Sequence, residues 1–435
     1  MALGGGTFVA QNKVLPGAYI NFVSLAAASA TLSDRGIATM PLETDWGVEG
    51  AVFEVTSADF QKNSMKIFGY SYDHDKMKGL RDLFRNITTL YAYRLNGGGA
   101  KASNDYATAI YGGVRGNDIK IAIQKNVDDE TMFDVVTYLG TTKVDTQTVS
   151  AASELVANDY VTFKTDAVLA VVAGVALEGG ANGTVDGSAH QAYLDKIEAY
   201  SFNAMGVVTS DDTMKSLYAA FCKRLRDEVG AKFQVVIYNH AADYEGVINV
   251  KNKTTDANWD ESCLVYWVTG IAAGCAVNKS NLNKVYDGEF TVNVDYTQTQ
   301  LTKAIQAGEF VLHQVGSDVR VLEDINSLVT TSDTKGDIFK DNQTIRVIDQ
   351  IANDIAVLFN TKYLGVVPND AAGRISLWTD IVKHHEQMQD IRAIENFSDA
   401  DVTVVQGDTK KAVVVNDAVT VVNAMAKLYM TVTIS

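Results

Sequence analysis

Along residues 427–434 apolar and polar positions alternate without a break. Leu428, Met430, Val432 and Ile434 fall on one side, and Lys427, Tyr429, Thr431 and Thr433 on the other, the period of a half-buried β-strand. The chain stops inside this pattern. Such a strand must find an edge to pair with, or it leaves backbone groups unpaired and its apolar side chains exposed. Two readings follow: a last strand tucked into its own domain, or an arm, residues 427–435, that completes a sheet in a neighbouring copy. The other end offers a second loose strand. After the break at Pro16-Gly17, Ala18, Ile20 and Phe22 alternate with Tyr19, Asn21 and Val23, so residues 1–25 are expected to form an N-terminal arm. Loose strands at both ends suit subunits that trade arms.

Between the ends the pattern is layered. Residues 36–42 read as a strand entering a turn. Met77, Leu80, Leu83, Phe84 and Ile87 recur at helical spacing, 89–95 read as a strand, and Asn96-Gly97-Gly98-Gly99 breaks the chain. From 100 to 178 short strands succeed one another, at 107–111, 118–124, 132–139, 144–149 and 161–163. Their spacing is that of a small antiparallel sandwich or barrel. Glu178-Gly179-Gly180-Ala181-Asn182-Gly183 closes the segment and reads as a hinge between domains. Helix and strand then alternate: a helix over 190–202 with Tyr193, Leu194, Ile197 and Tyr200 inward, a strand at 206–209, a helix over 212–229 capped by Ser210 or Asp211, and a strand at 233–238. That order argues for a parallel, layered sheet. Residues 263–277 are apolar nearly all round, the mark of a buried helix.

Beyond 320, a long helix over 337–359 carries Ile338, Ile345, Ile348, Ile351, Ile355 and Leu358, and a break follows at 365–368. A second helix over 374–396 has Trp378, Ile381, His385 and Met388 on one stripe, and strands at 402–405, 411–415, 418–422 and 428–434 make a closing sheet. The expected organisation is an α/β core (26–96 and 184–335) interrupted by an inserted antiparallel β-domain of sandwich or barrel type (97–183). An α+β C-terminal domain (336–435) with terminal strand arms follows.

Composition narrows the function. The chain has 435 residues, 47% of them apolar, and a net charge of −16, a field that repels a phosphate backbone and argues against nucleic acid as a direct partner. Cys222, Cys263 and Cys275 are too few and too far apart for a disulfide framework or a four-ligand zinc site, and read as buried thiols in a reducing compartment. Residues 1–6 lack a basic n-region, and Pro16, Asn21 and Ser24 interrupt the apolar run that follows, so no signal peptide is expected. No unbroken apolar run reaches the roughly 18 residues of a membrane span. A soluble product made in the cytoplasm is expected.

Chemistry-bearing clusters are few. The loop 178–183 lacks both the G-x-G-x-x-G spacing and the Gly-Lys-Ser/Thr ending of phosphate-binding loops. Asp380, His384, His385 and Glu386 lie close in sequence. Successive residues point about 100° apart on a helix, however, and without a His-x₃-His pair these read as a solvated helix face. Asp73-His74-Asp75 reads as a surface turn, and His190, His240 and His313 are isolated. No Gly-x-Ser-x-Gly nucleophile motif is present, and neither a cofactor nor a metal is expected.

Several short motifs recur in order along essentially the whole chain: Pro16-Gly17-Ala18-Tyr19-Ile20, Tyr111-Gly112-Gly113-Val114-Arg115-Gly116-Asn117-Asp118-Ile119 and Leu177-Glu178-Gly179-Gly180-Ala181-Asn182-Gly183. To these are added Ile345-Arg346-Val347-Ile348-Asp349, Asn353-Asp354-Ile355, Gly365-Val366-Val367-Pro368-Asn369-Asp370 and Gly373-Arg374. In their order and spacing they resemble one family, the tail sheath proteins of contractile phages and phage-tail-like bacteriocins. The resemblance implies an α/β body of subtilisin-like topology without a working triad, in keeping with the missing Gly-Thr-Ser and His-Gly-Thr motifs. It implies a non-enzymatic structural subunit that polymerises as hexameric rings, stacked helically around a tail tube, and contracts to drive the tube through a target cell envelope. Its partners would be further copies of itself, the tail tube protein, and baseplate and tail-terminator proteins, with no direct nucleic acid and no membrane insertion. It would reside in a virion or bacteriocin particle assembled in the bacterial host cytoplasm.

The resemblance also implies that Ala18, Tyr19, Ile20 and Phe22 at one end, and Leu428, Tyr429, Met430, Val432 and Ile434 at the other, exchange strands between subunits. Gly407-Asp408 and residues 423–426 would be the breaks before the last strands. The C-terminal domain would lie nearest the tube, making Lys383, His384, Glu386, Gln387 and Asp390 a candidate tube-contacting face. Two other classes stay open on the residues alone: an α/β hydrolase-like enzyme with appended β-modules, and a subunit of another assembly such as a capsid or surface layer.

Overall fold

The computed structural model describes residues 32–434; Ala18, Tyr19, Ile20 and Phe22 lie outside them. The chain divides into two compact units. Among the described residues the larger comprises Asp34–Gln350 with 421–434, and the smaller comprises Ile351–Thr420 with 32–33.

The larger unit is built on a seven-stranded sheet of β1 (Ile37–Leu42), β2 (Val52–Thr56), β3 (Thr89–Arg94), β4 (Ala204–Val207), β5 (Gln234–Tyr238), β6 (Val247–Val250) and β7 (Glu309–Phe310), in the order β7-β6-β5-β4-β1-β3-β2. All neighbours are parallel except β2, which runs antiparallel to β3. Helices cover both faces, as the alternation of helix and strand requires. One layer of core joins Met40, Leu90, Val236 and Ile248 to Leu83, Trp267 and Ile271. The other joins Met205, Val207, Val235 and Ile237 to Tyr193, Leu194, Tyr218 and Phe221. Pro41 is tolerated inside central β1 for a local reason. Ile37 O accepts from Asn203 N–H, so by alternation Pro41 also faces β4, where pairing has already stopped at Thr39. Its missing N–H is not needed there.

The sequence expectations hold for β1, β3 and β5. The predicted inward Tyr200 is 41% exposed, because its helix stops at Ile197. The helix Ser57–Phe68, which composition does not announce, is started by Thr56, whose side chain accepts from Asp59 N–H.

Inserted after β3 is an antiparallel sheet in the order Thr142–Val149, Phe133–Leu139, Ile119–Lys125, Val172–Ala176, with a two-stranded pair of Ala107–Ala109 and Val161–Phe163. Ile119, Ile121, Ile123, Val135, Leu139, Val161 and Phe163 form its core.

The loop 178–183 is not the hinge its glycines suggest. It crosses residues 96–99 and 112–117 backbone against backbone. A Cβ on Gly183 would lie 2.0 Å from Gly97 O, one on Gly99 1.9 Å from Ala181 O, and one on Gly180 2.6 Å from Gly113 O. Ala181 and Gly113 N–H both donate to Ala100 O, and Gly183 N–H donates to Asn96 O. Asn117 and Gly180 exchange two further hydrogen bonds of 2.8 Å. Buried Arg94 ties the crossing together, donating to Gly112 O (2.7 Å), Gly47 O (3.3 Å) and Asn96 Oδ1 (3.1 Å). Glycine is required here for close approach, not for flexibility.

The division between units falls within a helix, Asn342–Leu358. Its first half belongs to the larger unit and is polar yet buried. Asn342 accepts from Gln234 at 2.8 Å, Arg346 pairs with Asp324 at 2.7 Å, and Asp349 takes a two-pronged hold of Arg226 at 2.6 and 2.8 Å. The predicted helix start at 337 is instead a separate 3₁₀ turn, Asp337–Lys340, which leaves Ile338 half exposed.

In the smaller unit the same helix runs into the turn Phe359–Tyr363, and a second helix spans Ala371–Asp390. Asp370 caps the latter by accepting from Gly373 N–H at 2.8 Å. Leu358, Tyr363, Leu377, Ile381 and Val402 form the core. β8 (Val402–Gln406) and β9 (Val413–Asp417) pair antiparallel, Val404 facing Val415 and Val405 facing Val414. Gly407 and Asp408 therefore sit in a hairpin turn, and a short strand follows at Thr420–Val421. The closing sheet expected from the sequence lacks its last strand: residues 422–434 carry no regular structure.

Candidate assembly interface

Residues 424–434 are exposed throughout. Leu428 is 85% exposed, Met430 74%, Val432 68% and Ile434 90%, while Tyr429 on the other side is 89% exposed. Both sides of the alternation are exposed, so among the described residues this segment has no core of its own. The root is fixed. Gln343 donates to Val422 O and accepts from Ala424 N–H, both at 3.0 Å, and Asn423 Nδ2 donates to Thr344 Oγ1 at 3.0 Å. The break expected at 423–426 is thus pinned at its first two residues.

In the smaller unit the β8–β9 hairpin is an incomplete sheet. Asp401 O accepts from Ala418 N–H while Val402 O accepts from Trp378 Nε1 at 3.0 Å. By alternation Val402, Val404 and Gln406 face away from β9. Trp378 occupies the first of these positions. Among the described residues no further strand pairs with the edge carrying the backbone N–H and C=O groups of Val404 and Gln406, the template on which another strand can add. A groove of about 260 Å³ lined by Ala371, Arg374, Ile375, Trp378 and Val404 adjoins it. Val405, Val414 and Val415 are also exposed on the hairpin.

The helix Ala371–Asp390 corrects one expectation. Lys383, Glu386 and Asp390 are exposed and Gln387 partly so, but His384 is fully buried and cannot present itself to a partner. His385 and Asp380 are buried as well, so the expected solvated face is an interior polar cluster. His384 Nε2 lies 3.0 Å from Asp354 Oδ2, His385 Nε2 2.7 Å from Asp417 Oδ2, and the two Nδ1 atoms 3.1 Å from each other. Adjacent helical residues do diverge by about 100°. Here one packs toward the preceding helix and the other toward β9, so both directions are interior. Asp380 accepts from Lys362 Nζ at 2.5 Å and from Tyr363 Oη.

Asp73, His74 and Asp75 are on the surface as expected, with His74 Nδ1 accepting from Lys76 N–H at 3.1 Å. A cavity of about 490 Å³ opens at the carboxyl end of β1, walled by Glu43, Asp45, Tyr70, His74, Trp259 and Tyr266 among others. Burial raises the Asp45 carboxyl, but hydrogen bonds from Lys76, Tyr70 and Asn182 outweigh it and hold the group below the ordinary range. Among the described residues no cluster suited to a metal ion occurs, and no helix is long and apolar enough to cross a membrane.

Four family models match in succession: the N-terminal region of domain III of tail sheath protein Gp18 (35–95), the phage tail sheath β-sandwich domain (96–182), the phage tail sheath central domain (183–327) and the phage tail sheath C-terminal domain (334–435). The phage-like element PBSX protein XkdK of Bacillus subtilis is 33% identical over the full length of both chains. A sheath tail protein from Desulfitobacterium hafniense, known by crystal structure, is 38% identical, with 90% of this chain and 93% of that one covered and a TM-score of 0.80. The contracted helical sheath of the anti-feeding prophage shares the fold alone, at 13% identity over 97% of this chain and 99% of that one, with a TM-score of 0.58. Matched domain by domain from residue 35 to its end, the chain belongs to the phage tail sheath protein family and is a structural subunit of a contractile tail sheath.

Proposed function

We propose that the subunit polymerises by strand exchange into hexameric rings stacked helically around a tail tube, and that the lattice shortens to drive the tube through a target envelope. The observation that carries this reading is the pairing of an exposed, alternating C-terminal segment with an open hairpin edge at Val404 and Gln406. A strand from one copy, using Leu428, Tyr429, Met430, Val432 and Ile434, adds to the edge of another. Its backbone supplies the hydrogen bonds and its alternate side chains the specificity. Residues 1–25, with Ala18, Tyr19, Ile20 and Phe22, act as the second arm. Many such links in one lattice reinforce one another through effective concentration.

The rest of the reading follows the family. The larger unit is a subtilisin-like body without a triad (26–96 and 184–335), carrying the inserted domain 97–183. The C-terminal domain 336–435 faces the tube through Lys383, Glu386, Gln387 and Asp390, His384 being withdrawn from that face. The subunit is not an enzyme. The tail sheath domains matched along the chain support this over the hydrolase alternative. Tube, baseplate and terminator proteins are its partners, in a virion or bacteriocin particle assembled in the host cytoplasm. Electron microscopy of the purified protein tests the reading. Hollow tubes of regular repeat are expected, and discrete small particles at every concentration would refute polymerisation.

A further inference from the structure

The cavity of about 490 Å³ at the carboxyl end of β1 lies where a sheet of this kind offers a site. Around that strand the order is β4-β1-β3, all three parallel. The chain leaves β1 to build β3 on one side and later enters β4 on the other. Connections that part in this way leave a crevice outside the carboxyl ends of the strands, where open α/β sheets bind ligands. The volume is that of a small-molecule pocket. Leu42, Phe68 and Leu80 line it and are buried, which gives it an apolar floor.

The wall carries three carboxylates, Glu43, Asp45 and Asp75, and one ammonium group, Lys76. Lys76 is engaged by Asp45, which also accepts from Tyr70 Oη at 2.6 Å and Asn182 Nδ2 at 3.0 Å. Glu43, exposed at the mouth, makes no hydrogen bond or ion pair among the described residues. Partial desolvation and the charge of Asp260 raise its carboxyl, so its anion stands without a cation to compensate it. Two aromatic rings share this wall. Trp259 is fixed edge-on by Phe290 at 5.1 Å. Tyr266 lies against Gly79, where an added Cβ would come within 2.5 Å of Cε2 and 2.6 Å of Cδ2, so glycine leaves the ring its place. Among the described residues neither ring is covered by a cation, and neither the indole N–H nor the phenol makes a hydrogen bond. Tyr70, by contrast, already has Arg115 over its ring at 4.5 Å and His74 stacked at 4.4 Å.

We propose that this cavity binds a small organic ammonium ion, a protonated amine on a short apolar stem. Glu43 takes the charge, Trp259 and Tyr266 supply the aromatic faces that attract a cation, and Leu42, Phe68 and Leu80 receive the stem. An anion would meet Glu43 and Asp75 with Lys76 already engaged. A metal ion would want clustered ligands, and among the described residues no such cluster occurs. The site is independent of strand exchange, since every residue it uses lies within 34–350 of the larger unit.

Saturation-transfer NMR of n-butylammonium over the full-length chain reads binding whether or not tubes form. Saturable binding is expected, and about tenfold weaker binding of 1-butanol and of butyrate, which keep the stem and lose the positive charge. Glu43→Gln should weaken n-butylammonium about tenfold, the loss of one charge-assisted hydrogen bond, and Glu43→Lys should abolish binding. Both substitutions are at an exposed side chain, and unchanged thermal unfolding confirms that the variants fold. Glu130→Gln removes an equal charge from an exposed side chain of the inserted domain, outside the cavity, and should leave binding unchanged. Absence of saturable binding, equal affinities for n-butylammonium and 1-butanol, or equal losses in Glu43→Gln and Glu130→Gln, the mark of a general attraction to an acidic chain, would each overturn the proposal.

Discussion

Three glycines of one loop give a graded test of the locked junction. At Gly183 an added Cβ would meet Gly97 O at 2.0 Å, at Gly180 it would meet Gly113 O at 2.6 Å, and at Gly179 it meets nothing within 4 Å. Gly183→Ala must therefore push two backbones apart by about 1 Å, and overpacking of this kind costs about 1–3 kcal/mol or more. The displacement is against main chain that also carries the Gly183–Asn96 hydrogen bond, so the upper end applies, about 3 kcal/mol, or roughly a hundredfold in the opening equilibrium. Gly180→Ala should cost less. Gly179→Ala pays only for its left-handed backbone, φ +81°, about 1–2 kcal/mol. Hydrogen exchange of the amides of Ala181, Gly183 and Gly113, all bonded across the junction, reports the opening directly. Exchange should accelerate in the order Gly183→Ala, Gly180→Ala, Gly179→Ala. Equal, small effects at all three would mean that the loop yields, and the hinge expected from its composition would be right after all.

Three further outcomes follow from buried groups. Burial raises the Asp82 carboxyl from an ordinary 3.8 to about 6, despite hydrogen bonds from Glu289 N–H and Tyr286 Oη. The folded chain thus holds this proton more tightly than the unfolded one. The stability it contributes is complete below about pH 4 and lost as pH rises through about 6, some 3 kcal/mol for about two pH units. The wild-type minus Asp82→Asn difference in unfolding free energy should show this slope, and a flat difference would refute it. Asp349→Asn orphans the buried Arg226 guanidinium and should destabilise by about 3–5 kcal/mol in denaturant unfolding, while Arg226→Met with Asp349→Leu should recover much of the loss. The Cys222 and Cys263 thiols are pushed up to about 12 by burial, so neither should react with a thiol reagent near pH 8 until denaturant opens the fold. Prompt labelling or a native disulfide would contradict this.

Much of the fold was legible because its signals are periodic. The runs around Thr39, Leu90 and Val236 read as strands, and the 263–277 run as a buried helix, because neighbouring layers demand apolar residues there. Three features were not legible, for physical reasons. The first half of the helix Asn342–Leu358 buries Asn342, Arg346 and Asp349, and polar residues look exposed until their partners, distant in sequence, are known. His384 and His385 mislead in the same way, since a lone helix has one inner face and this one packs on two sides. The glycines of 178–183 have one composition for a hinge and for a tight backbone crossing, and only the neighbours at 97 and 113 distinguish them. The alternation at 428–434 has the period of a strand, yet these residues form none in the described structure, and no sequence pattern says in which molecule such a segment would find an edge.

That question is the one to put to the protein. Deleting residues 427–435 removes, among the described residues, only the exposed side chains of 427–434, beyond the pinned root at Gln343, so circular dichroism and thermal unfolding should match the full-length chain. Sedimentation and electron microscopy of the two proteins, side by side, should give tubes for the full-length chain and monomers for the deletion. Val432→Asp, which places a charge on the apolar side of the arm, should behave like the deletion. Normal tubes from the shortened chain would contradict strand exchange by the C-terminal arm.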